Sequence, residues 1–254
     1  MAVSRLEPGT RSVPPSPSTP LIPSAPPNPS TPPAPDSRRA AVFLDKDGTL
    51  VEDVPYNVDP ALIRLTRGAI EGLLTLHRAG FPLIVVSNQS GVARGLFDEA
   101  ALGPVEARLR ELLGAAGVPL AGFYYCPHHP DGSVARYAVA CGCRKPAAGL
   151  IERAARDREI DLGSSWMVGD ILHDVEAGRA ASCRTILLDV GHETEWKVTP
   201  ARTPDAVAPD LATAARLILE HGAAVASLGA VERSAASPFR SLARASDPAD
   251  AGSR

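Results

Sequence analysis

A doubly wound α/β domain with a mostly parallel sheet is the fold this sequence predicts, and three observations predict it. Short apolar runs of strand length alternate with longer stretches of helical periodicity. The first run, Val42-Phe43-Leu44, is buried in character and is closed by a turn at Gly48. Residues that carry chemistry stand directly after the apolar runs, where open α/β sheets place their ligands.

The elements follow in order. Strands are expected at Val42–Leu44, Pro82–Val86, Gly122–Tyr125, Trp166–Val168 and Thr185–Asp189. Helices are expected between and after them, at Ala69–Ala79, Glu99–Ala115, Ala147–Arg158, His173–Ala181 and Leu211–His221. In the first helix Leu73, Leu74, Leu76 and His77 fall at helical spacing, and Gly80 supplies the stop. There is no internal repeat, and no Gly-x-Gly-x-x-Gly or Walker-type loop supports a dinucleotide or P-loop protein.

Composition bounds the domain. Residues 1–39 are dense in Pro, Ser and Thr and cannot bury enough apolar area to offset their ordering entropy, so a disordered leader is expected there. The pattern fades again after His221, which leaves 40–221 as one folded domain and 222–254 as a loose tail. The 254 residues carry a formal charge of −3, which gives no support to nucleic acid or an anionic membrane as partner. No stretch approaches the ~18–20 apolar residues of a membrane-spanning helix. Without a secretory h-region the chain is expected in the cytoplasm, where clustered thiols point to metal rather than disulfides.

The strand ends assemble a chemistry. Asp45 and Asp47 stand two apart after the first strand, where side chains on an extended chain share a face. Ser87-Asn88-Gln89-Ser90 offers hydroxyl and amide donors after the second. Arg144-Lys145 places two cations at the start of a helix, and Asp170 and Asp174 follow a later strand. Three acids, a hydroxyl and a lysine at successive strand ends suit phosphoryl transfer. Mg²⁺ held by Asp45, Asp47 and Asp170 would let a carboxylate approach a phosphate dianion. Asp45 is then the expected nucleophile and Asp47 the acid and base. Lys145 and Ser87 would balance the phosphoryl oxygens. Asp174, in the first turn of a helix, already has a dipole explanation.

The order Asp45-Lys46-Asp47-Gly48-Thr49, Ser87, Lys145 and Gly169-Asp170-x-x-x-Asp174 resembles the four motifs of haloacid-dehalogenase (HAD) superfamily phosphatases. Three longer stretches narrow the likeness to the branch that takes heptose bisphosphates or histidinol phosphate: Ser87–Gly95, Tyr124–Pro130 and Cys141–Pro146. The resemblance covers about Val42 to Ala181. It implies a HAD-like Rossmannoid phosphatase without a large cap domain, dependent on Mg²⁺ and carrying a structural zinc loop. The implied substrate is a sugar phosphate, foremost D-glycero-D-manno-heptose 1,7-bisphosphate cleaved at C7, with histidinol phosphate as the alternative and a monomer expected. It implies substrate contacts at Asp53, Tyr56, Ser87, Asn88, Gln89, Ser90, Arg144 and Lys145, with Arg144 a fork for the second phosphate. Ile171 departs from relatives that carry Lys after the fourth motif's Asp.

Cys126, Cys141 and Cys143 with one imidazole make a closed tetrahedral zinc set. His128 and His129 both stand close enough, and the family pattern assigns the ligand to His128. A zinc-stabilised binding module is the reading from another class, and the unremarkable charge and intact acids speak against it. The segment Gly191–Trp196, including His192, and the lone Cys183 receive no role.

Overall fold

Strand β1 (Val42–Leu44) runs through the middle of a six-stranded sheet in which every neighbouring pair is parallel. The computed structural model describes residues 38–235, with side chains to residue 224, so all but the last two residues of the expected leader, and the end of the tail, lie outside it. The strands are β2 (Leu83–Asn88), β3 (Leu120–Cys126), β4 (Trp166–Gly169), β5 (Arg184–Leu188) and β6 (Ala206–Ala208). Their order across the sheet is β3-β2-β1-β4-β5-β6. The helices are α1 (Ala69–Arg78), α2 (Leu102–Ala115), α3 (Gly149–Arg158), α4 (Leu172–Ala180) and α5 (Leu211–Ala235).

Each central strand is buried on both faces, because a parallel sheet needs crossover helices and these cover it. Alternate residues therefore enter two cores. Val42, Leu44, Val85, Val168 and Ile186 pack with Leu73, Leu76, Leu109, Leu113 and Ile218 from α1, α2 and α5. Phe43, Ile84, Val86 and Met167 pack on the other side with Leu150, Ile151 and Ala177 from α3 and α4.

The expected doubly wound fold is thus the observed one. Beyond shifts of one or two residues at element ends, three differences stand out. Strand β6 was not expected: three residues, Ala206-Val207-Ala208, lie between Pro204 and Pro209 and pair only with β5, at Ile186↔Ala206, too short to show a period. The helix expected from Glu99 begins with a 3₁₀ turn, Glu99–Ala101, before α2. Helix α5 runs past His221 to Ala235.

The strand order fixes where a ligand belongs. From β1 the chain moves to β2 and β3 on one side and returns to β4, β5 and β6 on the other. The crevice beyond the carboxyl end of β1, between β2 and β4, is the topological switch point.

Candidate active site and thiol cluster

Asp45 is the first residue past β1, and its N–H still donates to Val168 O of β4 at 3.0 Å. That bond holds it at the switch point. The chain then tightens, with Lys46 O accepting from Leu50 N and Val51 N, and Gly48 takes a left-handed φ of 81°. A Cβ at Gly48 would stand 2.2 Å from Asp170 Oδ2, so this glycine is required by close approach as well as by conformation.

Lys145 is the buried centre of the site. Its ammonium pairs with Asp45 and with Asp174 Oδ1 at 2.7 Å, and donates to Val86 O at 3.0 Å. Burial works against its charge, but Asp174 and Asp45 outweigh that and hold its pKa above the usual lysine value. The Asn88 side chain fixes the backbone there: Nδ2 donates to Lys145 O and Oδ1 accepts from Lys145 N, both at 3.0 Å.

Asp170 directly follows β4 and has both oxygens engaged: Oδ1 accepts from Thr49 Oγ1 at 2.9 Å and Oδ2 lies 2.8 Å from His192 Nδ1. Asp174 is wholly buried in the first turn of α4, and the Gly169 backbone approaches it so closely that a Cβ would stand 2.2 Å from Oδ2. Burial pushes its carboxyl up to about 7, Lys145 pulling the other way. Burial likewise raises Asp170 and Asp47.

Carboxylate oxygens of Asp45, Asp170 and Asp174 gather within 4.8 Å of one another. Lys145 pairs with two of these three acids, Asp45 and Asp174, and the all-oxygen donor set suits a hard divalent cation such as Mg²⁺. Asp47, expected among the metal ligands, has its carboxylate elsewhere: Oδ2 accepts from Gln89 Nε2 at 3.1 Å and Oδ1 pairs with Lys46. Gln89 Nε2 also donates to Ser87 Oγ at 2.8 Å, which ties the two strand ends together.

These raised carboxyls carry a pH signature. A buried acid whose folded pKa lies above its unfolded value binds more protons when folded, so stability falls as pH rises between the two values. For Asp174 that window runs from about 4 to about 7, with a slope of at most about 1.4 kcal/mol per pH unit. Magnesium-free protein should therefore melt lower at pH 7.5 than at pH 5, and Asp174→Asn should flatten the dependence. His173, lowered by burial, works in the opposite sense. An unchanged slope in the variant, read by calorimetry, would refute the assignment.

Beside the acids opens a cavity of about 290 Å³ lined by Asp47, Asp53, Tyr56, Asn88, Gln89 and Ser90, among others. Tyr56 is half exposed with φ 56°, a left-handed backbone that a tyrosine seldom adopts. Arg144 is partly buried, and its Nη1 is buried with no hydrogen-bond partner. Burial lowers its pKa, and the neighbouring Arg94 adds to that, while the thiols of Cys126 and Cys141 pull the other way.

The thiols close on one point. Cys126 Sγ lies 3.2 Å from Cys143 Sγ and 3.5 Å from Cys141 Sγ, and Cys141 and Cys143 are 3.3 Å apart. His128 Nδ1 lies 3.4 Å from Cys143 Sγ and 3.6 Å from Cys126 Sγ. A tetrahedral zinc with ~2.3 Å bonds to sulfur needs edges of about 3.8 Å, so the four donors stand close to that figure. His129 is turned away, with Nε2 at 3.2 Å from Arg94 Nη2 and Nδ1 accepting from Asp131 N. The other expected residues are thus brought to the site, whereas His192 and Glu193, which touch Asp170 and α4, had no periodicity or motif to announce them.

A centre of buried acids beside a buried lysine stands at the switch point of this doubly wound sheet, a place and a set of groups that suit phosphoryl transfer. The comparisons with known proteins agree. The family model described as "HAD-hyrolase-like" matches residues 142–214. The chain is 41% identical over 148 residues to D-glycero-beta-D-manno-heptose-1,7-bisphosphate 7-phosphatase of Photorhabdus laumondii, covering 58% of this chain and 79% of that protein. The protein of the same name from Pasteurella multocida is 40% identical over 154 residues, covering 60% and 83%. The crystal structure of D,D-heptose 1,7-bisphosphate phosphatase from B. bronchiseptica, complexed with magnesium and phosphate, superposes with a TM-score of 0.58. It is 30% identical, over 72% of this chain and 99% of that one. The chain belongs to the HAD-like phosphatase family of these relatives, and it is a phosphoric monoester hydrolase. Among the described residues no helix is long and apolar enough to cross a membrane.

Proposed function

We propose that this phosphatase removes the 7-phosphate of D-glycero-D-manno-heptose 1,7-bisphosphate, with Mg²⁺, through an aspartyl-phosphate. The observation that carries the reading is the contact of Lys145 with Asp45 beside Asp170 and Asp174, opening toward the cavity of Asp53 and Tyr56. The bound cation would screen the phosphate's charge against Asp45; Asp45 and Asp170 are its proposed ligands, with Asp174 close by.

Lys145 holds one oxygen of Asp45 and leaves the other to attack phosphorus. As that bond forms, the bond from phosphorus to the sugar oxygen breaks, and Asp47 gives the leaving alkoxide its proton. The raised pKa of Asp47 suits it to carry that proton, while Gln89 and Lys46 hold its position. Asp47 then takes a proton from water as the water attacks the same phosphorus, which releases phosphate and frees Asp45. Ser87 and Lys145 face the transferring oxygens. Zinc in the thiol cluster would stiffen the loop that leads straight into Arg144 and Lys145. The unpaired thiols fit the reducing cytoplasm in which such a cluster keeps its metal.

The orphaned Nη1 of Arg144 favours a substrate with a second phosphate. Phosphate release from heptose 1,7-bisphosphate should exceed that from histidinol phosphate, and Arg144→Ala should raise KM for the bisphosphate about 10–100-fold through loss of a charged hydrogen bond. Equal KM values in variant and parent would sink the assignment of Arg144, and faster turnover of histidinol phosphate would move the substrate.

The cluster yields its own expectation. Cys143→Ser should lower the melting temperature and the rate together, because the metal closes the loop that presents the two cations. Full activity in protein shown by elemental analysis to lack zinc would refute the coupling.

A further inference from the structure

We propose that the loop between β5 and β6 forms the outer wall of the carboxylate centre, with His192 the positioning residue of Asp170 and Glu193 its anchor. The inference rests on the metal reading above and deepens it.

Asp170 is gripped from two sides. Thr49 Oγ1 takes Oδ1 at 2.9 Å, and His192 Nδ1 takes Oδ2 at 2.8 Å, which fixes the plane of the carboxylate. His192 does this from outside. Its ring nitrogens are not among the ligand atoms gathered within 4.8 Å around Asp45, Asp170 and Asp174. It reaches Asp170 only because Gly48 carries no side chain: a Cβ there would stand 2.5 Å from His192 Nδ1. Gly191, with φ 85°, turns the chain back toward β1 after β5 has ended.

Glu193 ties that turn to the element it serves. Its Oε2 accepts from Leu172 N at 2.6 Å, at the first turn of α4, and its Oε1 accepts from Glu195 N at 2.7 Å. One loop therefore holds the Asp170 side chain through His192 and the backbone two residues on through Glu193. Partners behind a ligating carboxylate set its direction, and losing one typically weakens metal affinity about 10–100-fold.

The test is a titration of the zinc-loaded full chain with Mn²⁺, followed by electron paramagnetic resonance, beside melting temperatures without added divalent ion. His192→Ala is expected to bind Mn²⁺ about 10–100-fold more weakly at an unchanged melting temperature. His192→Asn, whose amide reaches where Nδ1 stood, should restore affinity close to the parent. Glu193→Ala should weaken affinity in the same direction as His192→Ala. Parental affinity in His192→Ala, no rescue by Asn, or a drop in the metal-free melting temperature that accounts for the loss would each overturn the inference. Asp170→Asn is the control. If the parent chain itself bound no Mn²⁺, or bound it independently of Asp170, the metal centre would be misassigned, a result separate from failure of the His192 variants alone.

Discussion

Asp45→Asn is expected to lower phosphate release by roughly 10³-fold or more, because it removes the proposed nucleophile and leaves only binding and electrostatics to act. The fold should survive. Asp45 belongs to a crowded set of buried acids, and an amide of the same shape keeps a contact with Lys145 while relieving like-charge repulsion from Asp170 and Asp174. The melting temperature should hold or rise. Acid-quenched turnover of substrate labelled in the 7-phosphate should trap label on the parent chain and none on the variant. A variant keeping a tenth of the parental rate would dismiss Asp45 as nucleophile.

Lys145→Met should affect both stability and rate. The substitution nearly preserves volume, but it strips the buried cation from Asp45 and Asp174 and leaves their charge uncompensated. Breaking a buried pair on one side costs about 3–5 kcal/mol. The loss should shrink at low pH, where Asp174 takes up a proton, and with Mg²⁺, which would supply positive charge. Removing a charge proposed to face the transferring oxygens should cost a further ~10²–10³ in rate at saturating substrate. Denaturant melts at pH 5 and pH 7.5, with and without Mg²⁺, read the first effect. A loss of stability independent of both would mean that packing, and not charge, is what Lys145 supplies.

The two variants separate roles that lie one contact apart. Lys145 is needed by the fold because two buried acids, Asp45 and Asp174, contact it. Of the two, the proposed reaction uses Asp45, and acids crowded in this way are a local conflict of the kind found at functional sites.

Much of this was legible in the chain. Apolar runs and helical periods are set by covalent order, so five of the strands and the helices that cover them could be placed before any coordinates, and a parallel sheet puts its chemistry at strand ends. Asp45, Ser87 and Asp170 stood at those ends with Lys145 before a helix start, and Cys126, His128, Cys141 and Cys143 are separated by short spacings that a loop can close. Tertiary structure decided what needs distance through space. Asp174 had a sufficient local explanation at a helix start, and only burial against Lys145, 29 positions earlier, makes it part of the charge centre. Asp47 shares a strand end with Asp45, yet its carboxylate turns to Gln89 from β2's end and Lys46, outside the oxygen cluster. His192 and Glu193 lie in a segment without period or motif, and their contacts with Asp170 and Leu172 exist because β5 returns the chain beside β4. Sequence determines which groups can do the chemistry, since residue type and local period are written along the chain. Which of them share a charge or a ligand is decided by the fold, because Coulomb attraction and desolvation depend on separation and burial.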